Sequence, residues 1–186
     1  MASTITPTLS PSCSSSTPKG KYEVFLSFHG PDTRKRFTDH LYHALKEKGI
    51  HTFRDDKTLK QGEYISEGLL KAIQESTYVI VVISKSYAFS KWCLIELAEI
   101  VRCKKEMRLI VVPVFYNVDP SDVREQTRSF AKAFVKHEKD PKVGMKTIQT
   151  WRAALTEVGS ISGWNLEADR SEAVTVRELL ARYLVS

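Results

Sequence analysis

Cysteine is scarce in this chain: Cys13, Cys93 and Cys103 are the only three in 186 residues. An odd, scattered set without metal-ligand spacing argues against a disulfide framework and favours a reducing compartment. Long apolar runs are missing as well. The longest, residues 78–83 and 109–116, fall far short of the roughly 20 residues that a membrane-crossing helix takes. Residues 1–20 lack acids and aromatics, hold one basic residue, Lys19, and contain no secretory h-region. A Ser/Thr/Pro-rich stretch of this kind buries too little apolar surface to offset its ordering entropy, so disorder is expected over 1–20. Its Ser-rich, acid-poor character suits a plastid transit peptide, but it has no Arg. The expectation is one intracellular domain over 21–186, with no membrane partner.

Hydrophobic content of 42% and charged content of 27% are ordinary for a globular domain with one core. The net charge of +6 is spread through Arg34-Lys35-Arg36, Lys46, Lys48, Lys57, Lys60 and Lys104-Lys105. Most of these positions are interleaved with acids. A solvated mixed surface explains them, and attraction for a phosphate-bearing ligand is the alternative.

Residues 22–41, YEVFLSFHGPDTRKRFTDHL, are the most informative stretch. An aromatic and β-branched run, 22–28, stops at Gly30-Pro31. From Phe37 the apolar residues recur at helical spacing as Phe37, Leu41, Ala44 and Leu45. Asp32 or Thr33 is expected to cap that helix by accepting backbone N–H bonds. Ligands of open α/β sheets bind at the carboxyl ends of strands, so this turn is the first place to look for one.

Further strands are expected at 50–53, 78–84 and 109–115, with a short edge strand at 161–164 after a helical stretch at 151–158. The polar segment 55–63 reads as a loop. Amphipathic helices are marked by Ile65, Leu69, Ala72 and Ile73; by Leu94, Leu97, Ala98 and Val101; by Phe130, Ala133, Phe134 and His137; and by Ala173, Val176, Leu180 and Tyr183. Strands alternating with helices predict a doubly wound α/β domain with a parallel sheet covered on both faces.

The helix around Glu96 holds a second signal. With Leu94, Leu97, Ala98 and Val101 as its core stripe, Trp92, Glu96 and Glu99 fall together on the other side. The ordinary explanation is an acid near a helix start and a Trp packed as a cap. A flat aromatic beside a carboxylate also suits a base and a ribose.

Four segments are decisive together: FLSFHGPDTRKRFTDHLYHALKEKGIHTFRDDKTLKQGEYISEGLLKAI, YVIVVISKSYAFSKWCLIELAEI, VPVFYNVDPSDVREQTRSFAKAF and SGWNLEADRSEAV. In this order and spacing they resemble the Toll/interleukin-1 receptor (TIR) domain found at the N-terminus of plant nucleotide-binding leucine-rich-repeat disease-resistance proteins. The resemblance runs from about Tyr22 to the C-terminus. It implies a flavodoxin-like five-stranded parallel sheet, self-association with other TIR domains, and cleavage of NAD+ or NADP+ at the nicotinamide–ribose bond, with no further cofactor and no metal. It also implies defence signalling and cell death, location in the cytoplasm and nucleus, and further nucleotide-binding and leucine-rich-repeat domains in a longer protein. The helix running into residues 183–186 fits such a continuation.

Residue by residue, the resemblance makes Glu96 the catalytic glutamate and Trp92 the aromatic next to the substrate. It makes His29, Gly30, Pro31, Asp32, Thr33 and Arg34 the loop lining the nucleotide site, and Gly62 part of the long loop over the cleft. The chain departs from the family pattern at His29 and Gln61, where Arg is common, and at Pro31, where Glu is frequent. A missing guanidinium removes a fixed cation near phosphate or ribose. One carboxylate suffices for this chemistry, because nicotinamide leaves NAD+ neutral and only an oxocarbenium-like ribose needs stabilising.

On the helix from Phe37, Asp39, Tyr42 and His43 face outward with His40 on the boundary. In plant relatives a Ser-His pair at this place meets a second copy. Here Asp39-His40 replaces it, so two Asp39 carboxylates are expected to approach each other. A bare interaction module is therefore the competing function. A phosphoacceptor receiver is excluded: residues 28–30 and 84–85 offer neither its acidic cluster nor its acceptor Asp. His51 and His137 are expected to be structural.

Overall fold

The computed structural model describes residues 21–54, 67–168 and 170–183. The expectations for the tail at 1–20, the loop at 55–63 with Gln61 and Gly62, Ile65 and the last three residues fall outside these segments.

Five strands form one parallel sheet in the order β2-β1-β3-β4-β5. They are β1 (Tyr22–Phe28), β2 (Thr52–Arg54), β3 (Ser76–Ile83), β4 (Ile110–Tyr116) and β5 (Trp164–Leu166). Both sheet faces are buried, and the side-chain period of two sorts each strand between them. Phe25, Val79, Val81, Ile83, Val111 and Phe115 line one face. Val24, Leu26, Phe28, Ile80, Val82, Val112 and Val114 line the other. Each fully buried Leu, Val or Phe adds about 1.5–3 kcal/mol over an exposed one, so this alternation holds the register.

The first face is covered by α3 (Glu67–Gln74), α4 (Lys91–Met107), α5 (Pro120–Glu125), α6 (Arg128–Glu138) and α7 (Met145–Gly159). The second is covered by α2 (Phe37–Glu47) and α8 (Glu172–Tyr183). A single helical turn, α1 (Gly30–Thr33), lies between β1 and α2. Among the described residues, no helix is long and apolar enough to cross a membrane.

Several boundaries differ from expectation. Trp164 opens β5 instead of closing it, because its ring joins the second core while the preceding residues turn over Pro113. Helix α7 is longer than 151–158, and α5 was not anticipated; its Pro120 start is capped by Asp119, which accepts from the Ser121 N–H at 2.8 Å. Asp32 and Thr33 do not cap α2. That helix starts after Arg36 with no side-chain cap, and Asp32 lies inside α1. His137 is buried, and its Nε2 lies 2.8 Å from the Ala88 carbonyl, a packing role.

Candidate functional site

Chain topology opens a crevice at the carboxyl ends of β1 and β3. From β1 the chain passes to α2 on one face, and from β3 to α4 on the other. The connections part where the strand order reverses, which is where doubly wound sheets bind ligands.

Ser27 is a polar residue in a strand that is otherwise apolar from Val24 onward. Its parity points it toward α4, and it is fully buried. Its Oγ donates to Glu96 Oε2 at 2.8 Å. The Tyr87 hydroxyl lies 2.9 Å from the same Oγ and 3.2 Å from the Cys93 carbonyl. Tyr87 belongs to a short 3-10 turn (Tyr87–Phe89) leading into α4. Ser90 then caps α4, accepting the Cys93 N–H at 3.3 Å. The Cys93 thiol reaches the Phe28 carbonyl at 3.7 Å, pinning the start of α4 to the end of β1.

Glu96 is therefore buried, at 8% exposure, and not outward as the helical wheel implies. The reason is that α4 is enclosed by α3, α7, β1, β4 and the 3-10 turn. Its buried arc takes in Cys93, Glu96, Ile100 and Cys103 as well as Leu94, Leu97 and Val101, whereas Ala98 is only half-buried. Trp92 stands one turn before Glu96 and is half-buried. Burial first, then the charge of Glu96, pushes the Cys93 thiol far above its ordinary value. A thiol held protonated in this way is no nucleophile. Burial likewise raises the Tyr87 phenol, which stays an O–H donor.

The turn after β1 closes the other side. Asp32 Oδ2 accepts the Ser84 hydroxyl at 2.5 Å and the Ser86 N–H at 3.1 Å, tying this turn to the end of β3. Burial opposes ionisation of Asp32, but Ser84, Ser86 and His29 together hold its pKa below the ordinary value. His29 Nδ1 is buried, makes no well-directed hydrogen bond, and lies 3.2 Å from Asp32 Oδ1. Pro31 is exposed at the start of α1. Thr33 is buried and accepts the Thr38 hydroxyl at 2.8 Å, joining α1 to α2. The Arg34 guanidinium lies 5.4 Å from the Phe28 ring centroid. Gly30 makes room for it, since a Cβ there would stand 2.8 Å from Arg34 Nη2.

The structure thus brings Glu96 and the His29–Arg34 turn to one strand end, with Trp92 a turn along α4. Gly62 lies outside the described residues. Residue patterning alone does not single out Ser27, Tyr87 and Ser84, although a buried-parity Ser in an apolar strand is a readable signal.

On the far side of the second core, His40 Nδ1 lies 3.0 Å from Glu172 Oε2, linking α2 to α8. Asp39 Oδ1 accepts from Arg54 Nη1 at 2.8 Å, and the Arg54 guanidinium lies 4.2 Å from the Tyr42 ring centroid. Asp39 is thus neutralised within its own chain, and the expected repulsion between two Asp39 carboxylates does not follow.

This sheet order, with a carboxylate buried at the switch point, belongs to a known class. Residues 21–183 match the model of the TIR domain, and the chain belongs to that family. It is 50% identical over 167 residues to TMV resistance protein N of Nicotiana glutinosa, covering 90% of this chain and 15% of that protein. It is 51% identical over 172 residues to disease resistance protein RPV1 of Vitis rotundifolia, covering 90% of this chain and 12% of that protein. The chain thus spans less than a sixth of the length of these relatives. Among solved structures it is similar to the TIR domains of the activated Roq1 resistosome, which directly recognises the pathogen effector XopQ. The TM-score is 0.81 at 49% identity, covering 88% of this chain and 99% of that one.

Proposed function

We propose that this TIR domain cleaves NAD+, with NADP+ as an alternative substrate, and does so in immune signalling that ends in cell death. The observation that carries this is the burial of Glu96 beneath the end of β1. Burying a carboxylate costs folding energy, and an acid serving only solubility would stay in water. The Glu96 carboxylate stabilises positive charge on the ribose as the C1′–nitrogen bond breaks. The bonding pair passes to the pyridinium nitrogen, which leaves as neutral nicotinamide. Water then bonds to C1′, releasing a proton and giving ADP-ribose; attack by the adenine ring instead gives cyclic ADP-ribose. Trp92 supplies a flat surface for a ring, and the His29–Arg34 turn flanks the dinucleotide, with Gly62 in the loop over the cleft. The substrate itself is NAD+, so the reaction takes no resident cofactor. The test is nicotinamide release at high protein concentration by wild type and by Glu96→Gln. Loss of release in the variant is expected. Equal release would sink the role of Glu96.

A second reading, a TIR–TIR interaction module, is favoured by the His40–Glu172 junction of α2 and α8, which presents exposed His40 and His43. Roq1 TIR domains work inside a resistosome, and the two readings combine if assembly completes the site. The resemblance set out from the sequence implies nucleotide-binding and leucine-rich-repeat domains beside this one, in the cytoplasm and nucleus, and the chain's small share of its relatives' length agrees with a longer protein.

A further inference from the structure

We infer that Ser27 and Tyr87 are positioning residues that hold the Glu96 carboxylate at the floor of the crevice, ready for a cationic ribose. This deepens the NAD+-cleaving reading and rests on it.

The three side chains come from three separate elements, β1, the 3-10 turn and α4, and meet in a buried chain of hydroxyls. Ser27 Oγ has one proton, and it goes to Glu96 Oε2 at 2.8 Å. The same oxygen is then left with lone pairs, and Tyr87 OH stands 2.9 Å from it and 3.2 Å from the Cys93 carbonyl, so its one proton is shared between these two acceptors. A donor behind a donor polarises the forward bond, and in a water-poor site that strengthens the hold on the charged carboxylate. Ser27 and Tyr87 are each fully buried, so water does not compete for these bonds.

Their chemical type fits a positioning role. Ser27 occupies a place where strand parity calls for an apolar side chain, and a hydroxyl there helps folding only if its bonds are made. Tyr87 keeps its proton because burial, Cys93 and Glu96 all oppose ionisation. The Ser27 hydroxyl therefore faces the acid as a donor, which fixes the orientation of the Glu96 carboxylate. An ionised Glu96 of fixed orientation is what a developing oxocarbenium ion requires. Neither hydroxyl touches the substrate in this scheme, so substrate affinity is left to Trp92 and the His29–Arg34 turn.

Ser27→Ala and Tyr87→Phe each delete one oxygen and little volume. In NAD+ turnover, Ser27→Ala is expected to lower kcat by about tenfold or more with KM little changed, since the lost bond is made to a charged group. The acid limb of its kcat–pH profile should move to higher pH, because the carboxylate has lost a donor to its charged form. Tyr87→Phe should do the same to a smaller extent. An NMR titration of labelled Glu96 carboxyl carbon, wild type against Ser27→Ala, tests the relay without any turnover. Its midpoint should be lower in wild type. A titration or an acid limb that does not move overturns the inference, and if Ser27→Ala does not fold, the same result in Tyr87→Phe does so. A moved titration in a wild-type protein that releases no nicotinamide overturns only the NAD+-cleaving reading.

Discussion

The Ser84 hydroxyl donates to Asp32 Oδ2 at 2.5 Å, bridging the end of β3 to the turn after β1. These two strands hydrogen-bond side by side, but the chain leaves them toward opposite faces. The bridge therefore ties the turn after β1 to the end of β3 at the switch point, and the Ser86 N–H donates to the same oxygen at 3.1 Å.

Ser84→Ala should destabilise the fold by about 1–3 kcal/mol, the cost of leaving a partly buried carboxylate short of a donor. Acid titration supplies the second readout. The folded pKa of Asp32 is lowered, so its contribution is present above the unfolded value of about 3.9 and is lost as pH falls through the lower folded value. Urea midpoints measured through that acid window should fall less steeply for Asp32→Asn than for wild type. Parallel profiles would show that the bridge carries no linkage.

The burial of Glu96 changes what its substitutions should do to stability. An exposed acid would be replaceable at no cost. Glu96→Ala instead removes the acceptor of Ser27 and leaves a void beside Cys93, and should cost about 1–3 kcal/mol. Glu96→Gln keeps an oxygen that can accept the Ser27 proton and should stay within about 1 kcal/mol of wild type. Thermal unfolding of the pair, read beside nicotinamide release, separates the two roles. If both variants melt like wild type, the Ser27 bond contributes nothing to the fold.

Much of this was legible in residue patterns, for identifiable reasons. The runs holding Phe25, Val81 and Val112 are continuous and apolar, as strands buried on both faces must be, and their parallel pairing followed. Phe37, Leu41 and Leu45 mark α2 because that helix has one clear wet side. Glu96 misled because α4 is packed on several sides, so no single stripe describes it and a wheel overstates its solvent face. Asp32 misled for another reason. It sits at a helix start and has the right chemistry for a cap, yet its partners, Ser84 and Ser86, come from a strand end far along the chain. Contacts of that range leave no local signature.

His29 remains the departure with the clearest electrostatic consequence. Its side chain is 20% exposed and lies next to Asp32, which would also orient a guanidinium at this position. His29→Arg should lower KM for NAD+ by adding a permanent cation near the dinucleotide phosphates. The gain should shrink as salt rises, because screening weakens partly exposed charge contacts. Steady-state kinetics at low and high ionic strength decide this. An unchanged KM at both would remove His29 from the nucleotide site.

Assembly is the remaining expectation, and the structure narrows how to test it. His40 is 64% exposed on its side chain and reaches Glu172 on α8 of the same chain. An exposed pair of this kind contributes about 0–1 kcal/mol, so His40→Ala should leave thermal stability nearly unchanged. If α2 and α8 meet a second copy, the same variant should weaken self-association and lower NAD+ cleavage with it. Arg54 already neutralises Asp39, so Asp39→Ser has no like-charge contact to relieve. It should instead loosen the tie between α2 and β2 and weaken assembly or leave it alone. Light scattering across a concentration series, paired with nicotinamide release, reads all of this. Should His40→Ala keep both the wild-type mass and wild-type turnover, the α2–α8 face is plain polar surface and the interface lies elsewhere.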